Sequence, residues 1–219
     1  MGAEEGRPFI EAAQPEHPSL LDVGHRVDAL FGITNIPSAL WIDEAGRIVR
    51  PVEPAWPGPR DLAGRKAALP TDLSPRMAAI MEEAGGIVAW TADDYADALR
   101  DWAEHGAASR FVLPADEVVA RSGGRDLEGS AAAAHFALAE HLERDGRHDE
   151  ALPHFRAAHR LAPDNWTYKR QAWSLSGPEG PMKRLWQGPQ DGQEWEYDSD
   201  WLSDVQASGA ASYYKETHL

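Results

Sequence analysis

Histidines, carboxylates and one proline are the residues of this sequence that could carry chemistry, because the 219-residue chain contains no cysteine. Without cysteine it offers no disulfide, no thiolate nucleophile and no zinc–thiolate site. Five histidines lie within residues 130–174, and none of them pair at i and i+4: His135, His141, His148, His154 and His159. Since a His-Glu-x-x-His motif is also missing, we interpret them as partly exposed helix residues and predict no metal site.

Carboxylates alternate with aromatic residues in the segment 191–201. An EF-hand calcium loop requires a fixed ligand spacing that this segment does not follow. We therefore predict a solvated acidic tail that Trp195 and Trp201, with Trp186 upstream, anchor to the rest of the protein; an aromatic ligand platform is the alternative. The sequence shows neither a phosphate-binding loop nor a Gly-x-Ser-x-Gly motif, and we predict no catalytic residue and no cofactor.

The charge of the chain narrows the classes of partner. Its 21 basic and 36 acidic residues give a formal net charge of −15. A field of this sign repels phosphate backbones and anionic lipid surfaces, so we predict no nucleic-acid or membrane partner. No apolar run approaches the roughly 18 residues needed to span a bilayer, and the first residues lack the pattern of a secretory signal. We predict a cytoplasmic protein.

The elements that must position these residues differ between the two halves of the chain. In the first half, apolar periodicity and turn residues predict helices over 4–14, 25–30, 77–84 and 93–105, and strands over 19–22, 38–42 and 47–49. An Asp-Glu-Ala-Gly turn joins the last two strands, and a proline-rich irregular connection follows over residues 51–75. Tyr95, Leu99 and Trp102 form an apolar stripe on the helix 93–105.

The second half is predicted to be helical over residues 130–174, in three segments that each end at glycine or proline. The small and large residues of its first two segments follow the spacing of a tetratricopeptide helix pair: Leu138, Ala139, Leu142, Ala151, Phe155, Ala158 and Pro163. We expect Leu138, Leu142 and Phe155 to be buried between the two helices. Because one repeat cannot bury its own faces, we favour a helical appendage packed on the first half over a complete peptide-binding superhelix.

Pro37 precedes the strand predicted over residues 38–42, where it either marks a strand end in the trans form or makes a tight turn in the cis form. The surrounding sequence, FGITNIPSALWIDEAGRIVRP, resembles a segment of thioredoxin-fold redoxins related to TlpA and ResA. The matching positions are Phe31, Gly32, Ile33, Pro37, Ile42, Asp43, Gly46, Ile48 and Val49. The resemblance implies that Pro37 is the cis-proline of the substrate loop. No other site residue carries over, because the Trp-Cys-x-x-Cys motif of the family is missing.

A closer resemblance is to a bacterial redoxin-like group in which the motif residue is often selenocysteine, in a pattern near Trp-Ala-x-x-Sec-Gly-x-x-His. The segments HPSLLD, NIPSALWID, EPAWP, NWTYKRQAWS and YDSDWLSDV carry this similarity. It implies that Met1 is internal and follows a UGA codon that was read as a stop.

Together these patterns predict an α/β chain in three parts. Residues 1–108 form a partial thioredoxin-like domain, residues 109–178 a tetratricopeptide-like helical region, and residues 179–219 an acidic, Trp-rich tail. The resemblance implies an antioxidant or thiol–disulfide oxidoreductase family, with a protein disulfide or a peroxide as substrate, whose activity this chain lacks. The alternative is a non-catalytic interaction module that binds a protein partner through the helical hairpin and the tail.

Overall fold

The computed structural model describes residues 3–55, 74–87, 92–176, 188–189, 194–215 and 217–219. These residues are mostly helical and contain one two-stranded sheet. The strands are β1 (Ser38–Ile42) and β2 (Ile48–Pro54). The α-helices are α1 (Ala3–Ala13), α2 (Arg26–Phe31), α3 (Pro75–Gly86), α4 (Ala92–His105), α5 (Ala115–Ser122), α6 (Leu127–Arg144), α7 (His148–Leu161), α8 (Trp166–Leu175) and α9 (Trp201–Ser208). Short 3₁₀ turns lie at Gly106–Ala108 and Ala210–Ser212.

The chain forms two compact units, and each unit is built from two stretches of sequence. Unit 1 comprises Met1–Leu30 and Arg125–Asp200, and unit 2 comprises Phe31–Gly124 and Trp201–Leu219. These units are defined by contacts within the structure and have other boundaries than the domains that we expected to end at residues 108 and 178. The domain boundaries stay predictions.

Unit 1 is centred on the antiparallel pair α6 and α7. The Asp126 carboxylate caps α6 by accepting a hydrogen bond from the Gly129 amide at 2.7 Å. The helix ends at a three-residue turn in which Gly146 has a φ of +74°, a conformation that glycine adopts without steric cost. Small buried residues let the two helices approach closely: Ala132, Ala139, Ala151 and Ala158. The helical pair predicted from the repeat spacing is therefore confirmed.

Unit 2 contains the β-hairpin. Its turn is fixed by the Asp43 carboxylate, which accepts hydrogen bonds from the amides of Ala45 and Arg47 at 3.0 and 2.8 Å. On the hairpin, Trp41 is 1% exposed and donates a hydrogen bond from Nε1 to the Tyr95 hydroxyl at 2.8 Å. Trp102 stacks on Trp41 with ring centroids 4.8 Å apart, so the apolar stripe predicted on α4 packs against the sheet.

Two strand predictions differ from the structure. Residues 19–22 form no strand, and their side chains are exposed, with Leu20 92% exposed. The run of apolar residues is only two long, and the described residues provide no neighbouring strand for it. Conversely, β2 continues beyond residue 49 to Pro54. Its pairing with β1 is irregular at two positions, which lets prolines occupy the strand although they cannot donate ladder hydrogen bonds.

Candidate functional site

The side of α6 that faces away from α7 carries an exposed, largely apolar stripe. We call it the α6 outer stripe, and its residues recur at helical spacing on one face: Leu127, Ala134, Ala137, Leu138 and His141. Leu127 is 89% exposed and Leu138 is 42% exposed. Ala134 and Ala137 present only methyl groups to solvent beside the larger Leu138, so another helix could approach this face closely.

The exposure of Leu138 corrects one prediction. Leu142 and Phe155 are buried as expected, whereas Leu138 is not part of the seam between α6 and α7. Phe136 takes that place: it is 3% exposed, stacks on Tyr168 at 4.2 Å and contacts Phe155 edge-to-face at 5.9 Å between ring centroids. The signal for Phe136 was available, because it lies four residues after Ala132 and three before Ala139 on the same helical face.

A buried charge cluster lies beside the stripe in unit 1. The His25 Nδ1 is 2.9 Å from a carboxylate oxygen of Asp28, and its Nε2 is 3.4 Å from Glu140. The His25 ring also meets Phe136 edge-to-face at 5.3 Å. Although burial lowers the pKa of His25, hydrogen bonding to Asp28 and the charge of Glu140 raise it overall. Burial raises the pKa of Glu140, whose side chain is 6% exposed.

Two other histidines of the hairpin also have specific environments. His148 contacts Glu143 at 2.8 Å and Glu196 at 3.1 Å. Burial lowers its pKa, but the bonds to these two carboxylates outweigh burial and raise it. His135 and His154 meet across the hairpin with their Nδ1 atoms 2.8 Å apart. One Nδ1 must therefore carry a hydrogen and donate a hydrogen bond to the other.

His159 has the opposite character. It is 9% exposed and lies between the rings of Trp173 and Tyr197 at 6.0 and 5.2 Å. Burial, followed by the charge of Lys169, lowers its pKa to about 4. His159 is therefore neutral at pH 7. His135, His148 and His154 are partly exposed, as expected, but His159 is a core residue. No group of three or more metal-ligating side chains that could hold an ion occurs among the described residues.

The structure places the residues of the predicted redoxin segment in unit 2. The Ile36–Pro37 peptide bond is cis, and Pro37 directly precedes β1. Trp41 packs in the core and Asp43 holds the hairpin turn. The role of Pro37 in a substrate loop stays a prediction.

Two of the three tail tryptophans lie in the described part of the chain. Trp201 begins α9, is fully buried and contacts Tyr213 edge-to-face at 5.9 Å within unit 2. Trp195 donates a hydrogen bond to the Ser199 carbonyl at 2.8 Å and packs against Tyr197 within unit 1. Trp186 lies outside the described residues.

Comparison with known proteins supports the helical pair. The tetratricopeptide repeat family model matches residues 132–165, which span α6 from Ala132, all of α7 and the turn that leads to α8. No curated protein and no solved structure matches the chain at a significant level. Among the described helices, none has the length and apolar character needed to cross a bilayer.

The redoxin interpretation is wrong where it assigned an oxidoreductase or antioxidant role. Thiol–disulfide exchange requires a sulfur nucleophile that cysteine supplies, and the chain has no cysteine. The described residues form a two-stranded sheet only, and the family match falls on the helical repeat, not on the segment around Pro37. The segment that carries the resemblance folds as the end of α2, a short loop and the β-hairpin.

Proposed function

We propose that this protein is an interaction module that binds a protein partner through the α6 outer stripe. The observation that carries the proposal is the exposure of Leu138 on a helix pair that matches a tetratricopeptide repeat. Repeats of this kind stack so that each helix pair buries its faces against its neighbours. Here Leu138, a leucine of the repeat pattern, is exposed to solvent, and the exposed Leu127 lies on the same face of α6.

The chemistry of the stripe defines the partner it would suit. Alanine at 134 and 137 permits close approach of a helix backbone, and Leu138 would insert between the side chains of that helix. At one end of the stripe, His141 lies 3.5 Å from Asp145 and provides a polar margin. A partner segment that forms an amphipathic helix, with an apolar face wide enough to cover both leucines, fits this surface.

The test is a photo-crosslinking amino acid placed at position 134, followed by identification of the proteins captured in cells. Leu138→Asp, made in the same background, should reduce capture of the partner by about tenfold or more, because it places a charge within the apolar contact. Val119→Asp is the matched control: Val119 is 73% exposed but belongs to α5 of unit 2, so capture should be unchanged.

Both substitutions replace exposed side chains and should change the free energy of unfolding by no more than about 0.5 kcal/mol. Equal capture by the wild-type chain and by a folded Leu138→Asp variant would show that the stripe is not the binding surface.

A further inference from the structure

In unit 2, residues 214–215 and 217–219 contact the region of the β-hairpin through Tyr214, Thr217 and His218, and we call these residues the strap. The Tyr214 hydroxyl donates a hydrogen bond to the Ile36 carbonyl at 2.9 Å, and the Thr217 hydroxyl donates one to the Pro54 carbonyl at 2.9 Å. The strap therefore spans from the residue before Pro37 to the last residue of β2.

The far end of the strap is held by two arginines. Arg50 and Arg121 both donate hydrogen bonds to the His218 carbonyl, from Arg121 at 3.2 Å. Arg50 is 1% exposed and is fixed by Glu53, by the Phe111 carbonyl at 2.8 Å and by the ring of Trp41. The donor to the strap is thus oriented by other parts of unit 2 and does not depend on the strap for its position.

These contacts have the character of peptide recognition. The hydrogen bonds described above each pair a side-chain donor with a main-chain carbonyl. Among the described residues, no backbone–backbone hydrogen bond ties the strap to β1 or β2. The strap buries little of itself: Lys215, His218 and Leu219 are exposed, and Tyr214 and Thr217 are partly exposed. A segment with few buried apolar contacts opens at low free-energy cost.

The residue before the strap is different. Tyr213 is 4% exposed, packs on Trp201, and accepts a 2.8 Å hydrogen bond at its carbonyl from the Asn35 side chain. Tyr213 is therefore an anchor at the base of the strap, and its ring also meets the Tyr214 ring edge-to-face at 4.8 Å.

We propose that Ile36, Pro54, Arg50 and Arg121 form a peptide-binding groove that the strap occupies in cis. Its ligand is an extended peptide that presents a tyrosine hydroxyl, a threonine hydroxyl three residues later and a free carbonyl at the next residue. The strap closes the groove and exchanges with such a peptide in trans. This inference uses unit 2 only and does not rest on the α6 outer stripe.

The test uses the full chain and a fluorescent peptide with the sequence of residues 214–219. Tyr214→Phe combined with Thr217→Val removes the two hydroxyl donors of the strap and leaves the groove intact. We expect this double variant to bind the peptide about tenfold or more tightly than the wild-type chain, because its own strap competes less. Lys215→Ala, at an exposed strap position, is the matched control and should bind as the wild type does.

Adding Arg121→Ala to the double variant should weaken peptide binding again, because Arg121 belongs to the groove. A folded double variant that binds no peptide, or binds it equally with and without Arg121, would overturn the proposal.

A second measurement needs no substitution. Excess peptide added to the wild-type chain should shift the NMR signals of the strap residues toward those of a free peptide, because the strap is displaced, and a peptide with the Phe and Val replacements should not. Unchanged signals at saturating peptide would likewise overturn the proposal.

Discussion

The buried histidine of α7 gives the chain a sensitivity to acid that can be measured. The pKa of His159 lies at about 4 in the folded chain, against an ordinary value of 6.5. The unfolded chain therefore takes up this proton first as the pH falls, and the stability of the fold decreases between about pH 6.5 and pH 4. A difference of this size corresponds to about 3 kcal/mol in the free energy of unfolding.

Replacement by an apolar residue isolates this effect. His159→Leu should remove about 3 kcal/mol of the loss in unfolding free energy that the wild-type chain shows between pH 7 and pH 4. The assay is urea denaturation followed by circular dichroism at several pH values, with the difference between variant and wild type plotted against pH. Val119→Leu is the control: its side chain does not titrate and is 73% exposed, so its profile should parallel the wild type.

The reasoning would be refuted if His159→Leu and the wild-type chain lost stability in parallel between these pH values. That result would mean that a water molecule or a carboxylate stabilises the charged imidazole of His159 in the folded chain. It would also remove the basis for treating His159 as a core residue.

The remaining predictions concern the other buried groups of unit 1. Phe155→Ala should lower the free energy of unfolding by about 3–5 kcal/mol, because Phe155 is fully buried between α6 and α7; a loss under about 0.5 kcal/mol would contradict the packing of the hairpin. His25 has a raised pKa, so its contribution is complete below about pH 6.5 and is lost as the pH rises through the folded pKa. His25→Gln should therefore cost more stability at pH 5.5 than at pH 9, measured by thermal unfolding, and an equal cost at both would rule out ionic bridging. Glu140→Gln should remove part of this pH dependence, since Glu140 is one of the three carboxylates, with Asp28 and Asp22, that favour the charged ring.

Local patterns predicted the local elements well. The spacing of alanines and Phe155 predicted the helical pair, and the Asp-Glu-Ala-Gly turn predicted the β-hairpin, because each depends on residues close together in sequence. The same reasoning failed for Leu138 and Phe136. The repeat spacing assumes that both flanks of a helix pair are covered, and here the flank that carries Leu138 faces solvent.

Long-range contacts could not be predicted in this way. His25 and Glu140 are 115 positions apart, and neither position shows a motif that would pair them. The bond from Arg50 to the His218 carbonyl joins residues 168 positions apart and uses a main-chain acceptor that every residue offers. Resemblance of a short segment was also misleading, since the family match falls on the helical repeat and not on the segment around Pro37, and the chain has no cysteine.

The division of the chain into interleaved units has a consequence for truncation. Unit 1 comprises Met1–Leu30 and Arg125–Asp200, so a chain that stops after Asp200 still contains all of its residues. Unit 2 needs Trp201, Val205 and Tyr213 to fill its interior, and such a chain lacks all three. A nonsense mutation after residue 200 would then leave the helical pair intact and damage the hairpin some 150 positions upstream of the stop, which is the reverse of what proximity in sequence suggests.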